Sequence, residues 1–206
     1  TLFRSDALPS HEYLRVSAAT AGVIGLAFDG FDFPTNFGQS SGAGDLIMPS
    51  GGFAAFGGDR TVNFGGNGDV QWMSGNGSGF INEKVGYDNL LVFSHPTADG
   101  TLHIANPIII AEPPDNVGSG IREIRVYDGS ADIDGVFDER IFLQPAIAER
   151  DDTYGFNKSG DGTLAFQDEL TIDGEVIVSA GRMLVNGDAS ATTAAWTVAA
   201  GATLGG

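Results

Sequence analysis

No stretch of ten or more residues in this 206-residue chain keeps a helical period without a glycine or proline break. Short alternating runs take the place of helices: Asp69-Val70-Gln71-Trp72, Leu90-Leu91-Val92-Phe93, Thr101-Leu102-His103-Ile104 and Arg122-Glu123-Ile124-Arg125-Val126-Tyr127. A period of two is the pattern of a strand with one buried face. Gly, Asn, Asp and Pro punctuate the runs and supply the corners that tight turns require. The chain reads as all-β.

The segment from Tyr154 to Gly206 repeats internally. Gly162-Thr163-Leu164, Gly181-Arg182-Met183 and Gly201-Ala202-Thr203-Leu204 open similar segments at near-equal spacing. Between them lie shorter runs with alternate apolar positions: Leu170 and Ile172, Val176 and Val178, Trp196 and Val198. An even period near 20 with two or three short strands per repeat is the signature of a solenoid. One coil cannot bury its apolar positions alone, so successive coils stack into a parallel ladder. Upstream, Asp99-Gly100-Thr101-Leu102 recurs as Asp161-Gly162-Thr163-Leu164, which ties the two regions together. Spacings there are uneven, and Pro107, Pro113 and Pro114 interrupt the pattern. The expectation is one unit over 1–206, with irregular coils carrying insertions over 1–153 and regular coils of about 20 residues over 154–206. Glu112 to Gly120 reads as a loop, and the aromatic-dense Phe28 to Phe37 as core.

Charge narrows the partners. Lys and Arg total 10 against 27 Asp and Glu, a formal net charge of −17. A polyanion of that size is repelled by phosphate backbones and by anionic membrane surfaces, so neither nucleic acid nor membrane is expected as partner. The longest apolar stretches, Ala21–Phe28 and Ile108–Ala111, fall far short of the ~18 residues of a membrane-spanning helix. Cysteine is absent, which removes disulfides, thiolate metal sites and cysteine nucleophiles. The chain has no initiator Met and no basic, apolar leader, and is expected to be a processed or excised segment. An acidic, glycine-rich, cysteine-free composition points to a secreted or surface protein.

Three segments carry a family resemblance. Phe156-Asn157-Lys158-Ser159-Gly160-Asp161-Gly162-Thr163-Leu164 resembles the opening of the autotransporter-associated β-strand repeat. Val178-Ser179-Ala180-Gly181-Arg182-Met183-Leu184-Val185-Asn186-Gly187 resembles its following strand, and Val198 to Gly206 its continuation. Ser50 to Asn63 is similar to segments of very long planctomycete and verrucomicrobial surface proteins. The resemblance spans roughly 13–206 and is strongest after Phe156. Gln144 to Asp152 and Gln167-Asp168-Glu169 depart from the pattern, as loop variation would. The resemblance implies a right-handed parallel β-helix exported to the cell surface, as in autotransporter passenger stalks.

A search for chemistry yields no catalytic, cofactor or metal residues. A nucleophile triad needs a base, and the only histidines are His11, His95 and His103. His95 precedes Pro96 in a turn. His103 alternates with Leu102 and Ile104 and so faces outward, and no serine sits in a nucleophile elbow. Sugar hydrolysis needs two carboxylates facing one bond. The adjacent pair Asp151-Asp152 would point apart in extended chain. Lyase chemistry needs a cationic groove, poorly furnished by eight Arg and two Lys. Asp128 to Gly135 fails as an EF-hand, because Ile133 stands where glycine must turn the loop. Asp132 and Asp134 share a parity and are expected as an acidic stripe on a strand face. Gly65-Gly66-Asn67-Gly68-Asp69 lacks a tandem copy, and Gly75 to Gly79 lacks the lysine of a phosphate loop.

The expectation is therefore a structural, non-enzymatic, extracellular or cell-surface solenoid acting as stalk, fibre or surface-layer component, without cofactors. Its partners would be further copies of itself, joined end to end, and cell-surface glycans. The alternative is a carbohydrate-active or carbohydrate-binding β-helix.

Overall fold

The computed structural model describes residues 2–3, 14–15, 22–27, 31–33, 46–47, 50–64, 68–72, 90–110, 120–142 and 153–206, with side chains for all of these except 2–3, 14–15, 31–33, 46–47 and 142. These residues form strands and turns and, among them, no helix. In chain order the strands are β1 (Leu2–Phe3), β2 (Leu14–Arg15), β3 (Gly22–Leu26), β4 (Phe31–Phe33), β5 (Leu46–Ile47), β6 (Gly51–Ala55) and β7 (Arg60–Phe64). Then come β8 (Val70–Gln71), β9 (Leu90–Phe93), β10 (Leu102–Ile104), β11 (Ile108–Ile109), β12 (Gly120–Val126), β13 (Gly135–Phe137) and β14 (Ile141–Phe142). The last are β15 (Tyr154–Ser159), β16 (Thr163–Phe166), β17 (Leu170–Thr171), β18 (Val176–Val178), β19 (Arg182–Val185), β20 (Trp196–Val198) and β21 (Thr203–Gly205).

The strands pair in parallel into three larger sheets. The first has the order β1-β3-β6-β9-β12-β15-β18-β20, the second β21-β19-β16-β13-β10-β7-β4, and the third β17-β14-β11-β8. A small fourth sheet pairs β2 with β5. Parallel neighbours need a crossover between them. Here the crossover is the rest of a circuit: from β6 to β17 the chain visits the first, second and third sheets in turn and returns to the first.

Register gives the length of each circuit. Phe156 pairs with Val176 and Val176 with Trp196, two equal steps that match the period of the sequence. Earlier circuits are longer: Leu90 pairs with Glu123, and Gly51 with Leu91. Leu164 faces Met183 and Met183 faces Leu204, so the three repeated glycine-led segments share one row. The two Asp-Gly-Thr-Leu motifs meet on the same row, Leu102 and Leu164 lying on either side of Gly135.

Inward positions of all three sheets join one hydrophobic cluster, from Ile24 and Phe53 in the first to Phe137 and Phe166 in the second and Ile108 and Leu170 in the third. Aromatic rings carry much of it. Phe93 meets Phe137 edge-on at 5.0 Å, Phe137 stacks on Phe166 at 5.4 Å, and Phe156 lies 5.4 Å from Phe166. Gly135 makes room for this ladder, because a Cβ there would strike the Phe93 ring.

The structure departs from the alternation pattern in two places. Leu90 to Phe93 is buried at all four positions, and β6 at all five, so these strands are covered on both faces. A continuous apolar run fits such a strand better than a one-sided one. Asp132 and Asp134 form no stripe on a strand. They lie in the turns before β13; Asp132 is exposed, whereas Asp134 is only 1% exposed. Of the segment read as a loop, Gly120 opens β12, and Glu112 to Ser119 lie outside the described residues, as does most of Phe28 to Phe37.

Truncating the ring ladder should leave a cavity. Phe137→Ala is expected to cost about 3–5 kcal/mol, and Ile121→Ala, on the outer face and 49% exposed, less than about 0.5 kcal/mol. Denaturant midpoints measure both. Similar losses for the two would contradict the assignment of inward and outward faces.

Candidate functional site

Among the described residues, a cluster of buried polar groups sits inside the corner between the first and second sheets. Tyr154, Phe156 and Lys158 alternate along β15, which turns all three inward, and Lys158 is fully buried. Its cross-strand partners are Ile124 and Val178, so an ammonium occupies an aliphatic row. Nζ donates hydrogen bonds to the carbonyls of Gly160 at 2.6 Å, Gly162 at 2.5 Å and Ala180 at 2.8 Å. Burial pushes the amine down to about 8, against the pull of the Asp134, Asp161 and Asp128 carboxylates. Three carbonyls are served together only by three N–H groups, so at neutral pH the group is held as the ammonium.

Asp134 closes the neighbouring part of the corner. Its Oδ1 accepts the Gly129 N–H at 2.7 Å and its Oδ2 the Thr163 N–H at 2.8 Å, while the Ser94 hydroxyl donates to Oδ1 at 3.5 Å. Burial raises its pKa, and the bonds from Thr163 and Gly129 oppose that rise. Glycine is required at Gly129, where a Cβ would crowd the Ala98 carbonyl and Asp134. These donors and acceptors are spent on groups of their own circuit and, through Ala180, Thr163 and Ser94, of the adjacent ones. The arrangement ties circuits together rather than presenting charge to a ligand.

The corner is legible in the sequence only in part. Lys158 falls on the inward parity of its own strand, and that signal identifies it as buried. Asp134 carries no such signal, because the turn preceding β13 has no period.

Other sequence-derived candidates lie apart. His103 faces outward on β10, and its Nδ1 is 2.9 Å from Asp138 Oδ1. The hydrogen bond to Asp138 raises its pKa, against a lowering by burial. His95 opens a turn closed by the Ala98 N–H donating to its carbonyl, and its Nδ1 accepts the Thr97 N–H at 3.2 Å. Asp69 approaches Arg140 at 3.9 Å. His11, Asp151-Asp152, Gly65 to Asn67 and Gly75 to Gly79 lie outside the described residues. Among the described residues, no group of three or more His, Asp or Glu is placed to hold a metal ion.

The outer wall of the first sheet is laced by short polar pairs. The Ser159 hydroxyl donates to Glu123 at 2.7 Å, Ser179 to Asn157 at 2.8 Å and Thr197 to Glu175 at 2.8 Å. Arg125 bonds Glu123 at 2.8 Å along the same strand. Beside this wall, Val23, Gly25, Ala27, Phe56, Gly57, His95 and Thr97 line an open concavity of about 360 Å³. His95 is the one ionisable side chain among these described lining residues.

Comparison of the chain with protein-family models, with curated proteins and with solved structures finds no match to any of them.

Two measurements test this geometry. Asp134→Asn leaves one oxygen where two accept, and sets an amide donor against the Thr163 or Gly129 N–H. It should destabilise the protein by about 1–3 kcal/mol, and an unchanged midpoint would contradict the two-sided role of the carboxylate. His103 should titrate above 6.5 by NMR, and Asp138→Asn should return it toward that value. A raised folded pKa gives stability that is full below the unfolded value and fades as pH rises through the folded one. The wild type should therefore lose stability relative to Asp138→Asn as pH rises from 6.5 through the raised folded value. Parallel pH profiles would exclude the pair as a contributor.

Proposed function

We propose that the chain is a structural, non-enzymatic β-solenoid of the cell surface or extracellular space, serving as stalk, fibre or surface-layer component. In this reading the three parallel sheets are the walls of a parallel β-helix. A right-handed winding follows from the strong preference for right-handed crossovers between parallel strands. The resemblance of 156–164 and 178–187 to the autotransporter-associated repeat supports export, and units of this kind recur in tandem.

The observation that carries the reading is the use made of the outer wall. Glu123, Asn157 and Glu175 accept hydrogen bonds from Ser159, Ser179 and Thr197 on the adjacent circuit. From β12 to β20 the polar side chains of this wall are spent on each other, which suits a scaffold. A glycosidase would need two carboxylates converging across a groove.

End-to-end association completes the proposal. Among the described residues β20 and β21 each have one strand neighbour, and Val198 and Leu204 there are 43% and 38% exposed. A further circuit stacked on them, from continuing chain or from a second copy, would pair the backbone edge and cover both side chains.

Electron microscopy across a concentration series tests this reading. Eight stacked strands at ~4.8 Å predict units about 35–40 Å long that join into filaments as concentration rises. Monodisperse single units at every concentration would remove end-to-end assembly. The second reading, a carbohydrate-binding module, is favoured by the concavity beside Phe56 and His95. It predicts glycan binding that His95→Ala weakens; an unaffected or absent signal would dismiss it.

A further inference from the structure

We infer that the corner between the first and second sheets is a built cation-coordination site, formed by the backbone carbonyls of Gly160, Gly162 and Ala180, with the Lys158 ammonium as its tethered occupant. Three oxygens from two successive circuits converge on one buried nitrogen at 2.5 to 2.8 Å. An ammonium has three N–H donors and no acceptor, so three carbonyls are its full complement. Clustered backbone carbonyls are also the ligands that replace the hydration shell of a potassium-sized ion.

The rest of the fold does not ask for a charge at this point. The pairings on either side are to Ile124 and Val178, both buried, and an aliphatic side chain would continue their row. The corner turns bring the carbonyls close: Gly160 and Gly181 adopt positive φ, 75° and 65°, a turn that recurs at Gly201 after Val198, and only the first of these corners has a lysine in the row. A Cβ on Gly181 would collide with Lys158 Nζ and with the carbonyls of Gly160 and Gly162. Gly162 O also accepts the Arg182 N–H at 3.2 Å, so this oxygen serves both the cation and the ladder. The carboxylates of Asp134, Asp161 and Asp128 add a favourable field for positive charge.

With the Lys158 side chain removed, the same carbonyls would accept a small monovalent cation bearing N–H donors or of similar size: ammonium, methylammonium or potassium. The site's function is to clamp the corner of β15–β16 to the next corner, β18–β19, where no disulfide is available. This inference stands on the corner alone and does not depend on the role proposed for the protein outside the cell.

Lys158→Ala empties the site while leaving its carbonyls. The variant should melt below the wild type. Adding about 0.5 M methylammonium or ammonium chloride should then raise its Tm by about 2–4 °C more than it raises that of the wild type. Tetramethylammonium chloride at the same ionic strength, which has no N–H donor, should move both proteins equally. Equal responses of variant and wild type to every salt would overturn the site, as would a Lys158→Met protein as stable as the wild type. If Lys158→Ala does not fold, the wild type decides the matter. With 15N-labelled lysine, its NH3 group should exchange slowly at pH 7 and show couplings to the carbonyl carbons of Gly160, Gly162 and Ala180. A fast-exchanging Lys158 signal without those couplings would overturn the proposal.

Discussion

The structure rests on parallel strands pairing in register from one circuit to the next. Each inner strand of the three larger sheets has both backbone edges satisfied by the circuits before and after it. Once that ladder is set, the side-chain period of two decides everything else. Inward positions stack on the same position of the next circuit, as Leu164, Met183 and Leu204 do, and outward positions meet water or one another except on β6 and β9, which are covered on both faces. Insertions between strands do not disturb the rows. The long circuit from Gly51 to Leu91 and the short one from Phe156 to Val176 both return their strands to the first sheet.

This constraint makes inward polar groups informative. A polar side chain on an inward or corner position has no water to serve it, so it must find backbone partners. Asn106 does so with three bonds, accepting the Phe64 N–H and donating to the Phe64 and Gly68 carbonyls. Ser50 accepts the Leu90 N–H. Asp134 and Lys158 are the charged members of the same set. Arg122 is buried above the Tyr154 ring at 4.9 Å, a cation–π contact in a dry setting. Each of these groups sits where one circuit must be fixed to the next, and together they pin the register that uniform aliphatic rows would leave free to slip.

The sequence is most legible where its period is cleanest. The absence of helix among the described residues, the alternation in β10, β17 and β18, and the shared row of the glycine-led segments all follow from residue spacing alone. His103 faces outward for the same reason. The pattern fails at Leu90 to Phe93, where burial on both faces hides the period, and at Asp132 and Asp134, where a turn mimics strand parity over two positions. The corner around Lys158 is half visible. Its inward parity is written in β15, but the three carbonyls that receive it come from turn geometry, which depends on the glycines at 160 and 181 and on the circuit that follows.

The central claim, that distant segments stack as one ladder of strands, is most directly tested by a distance. The chain has no cysteine, so paired spin labels can be placed at will. Val23 and Ser159 share an outward row through Gly52, Val92 and Arg125. Four strand spacings separate them, about 19 Å along the backbone despite the length of chain between. Double electron–electron resonance on the Val23→Cys, Ser159→Cys protein should give one narrow distribution near that distance, allowing for the label arms. A broad distribution, or one centred at twice that distance or more, would contradict the stacked register.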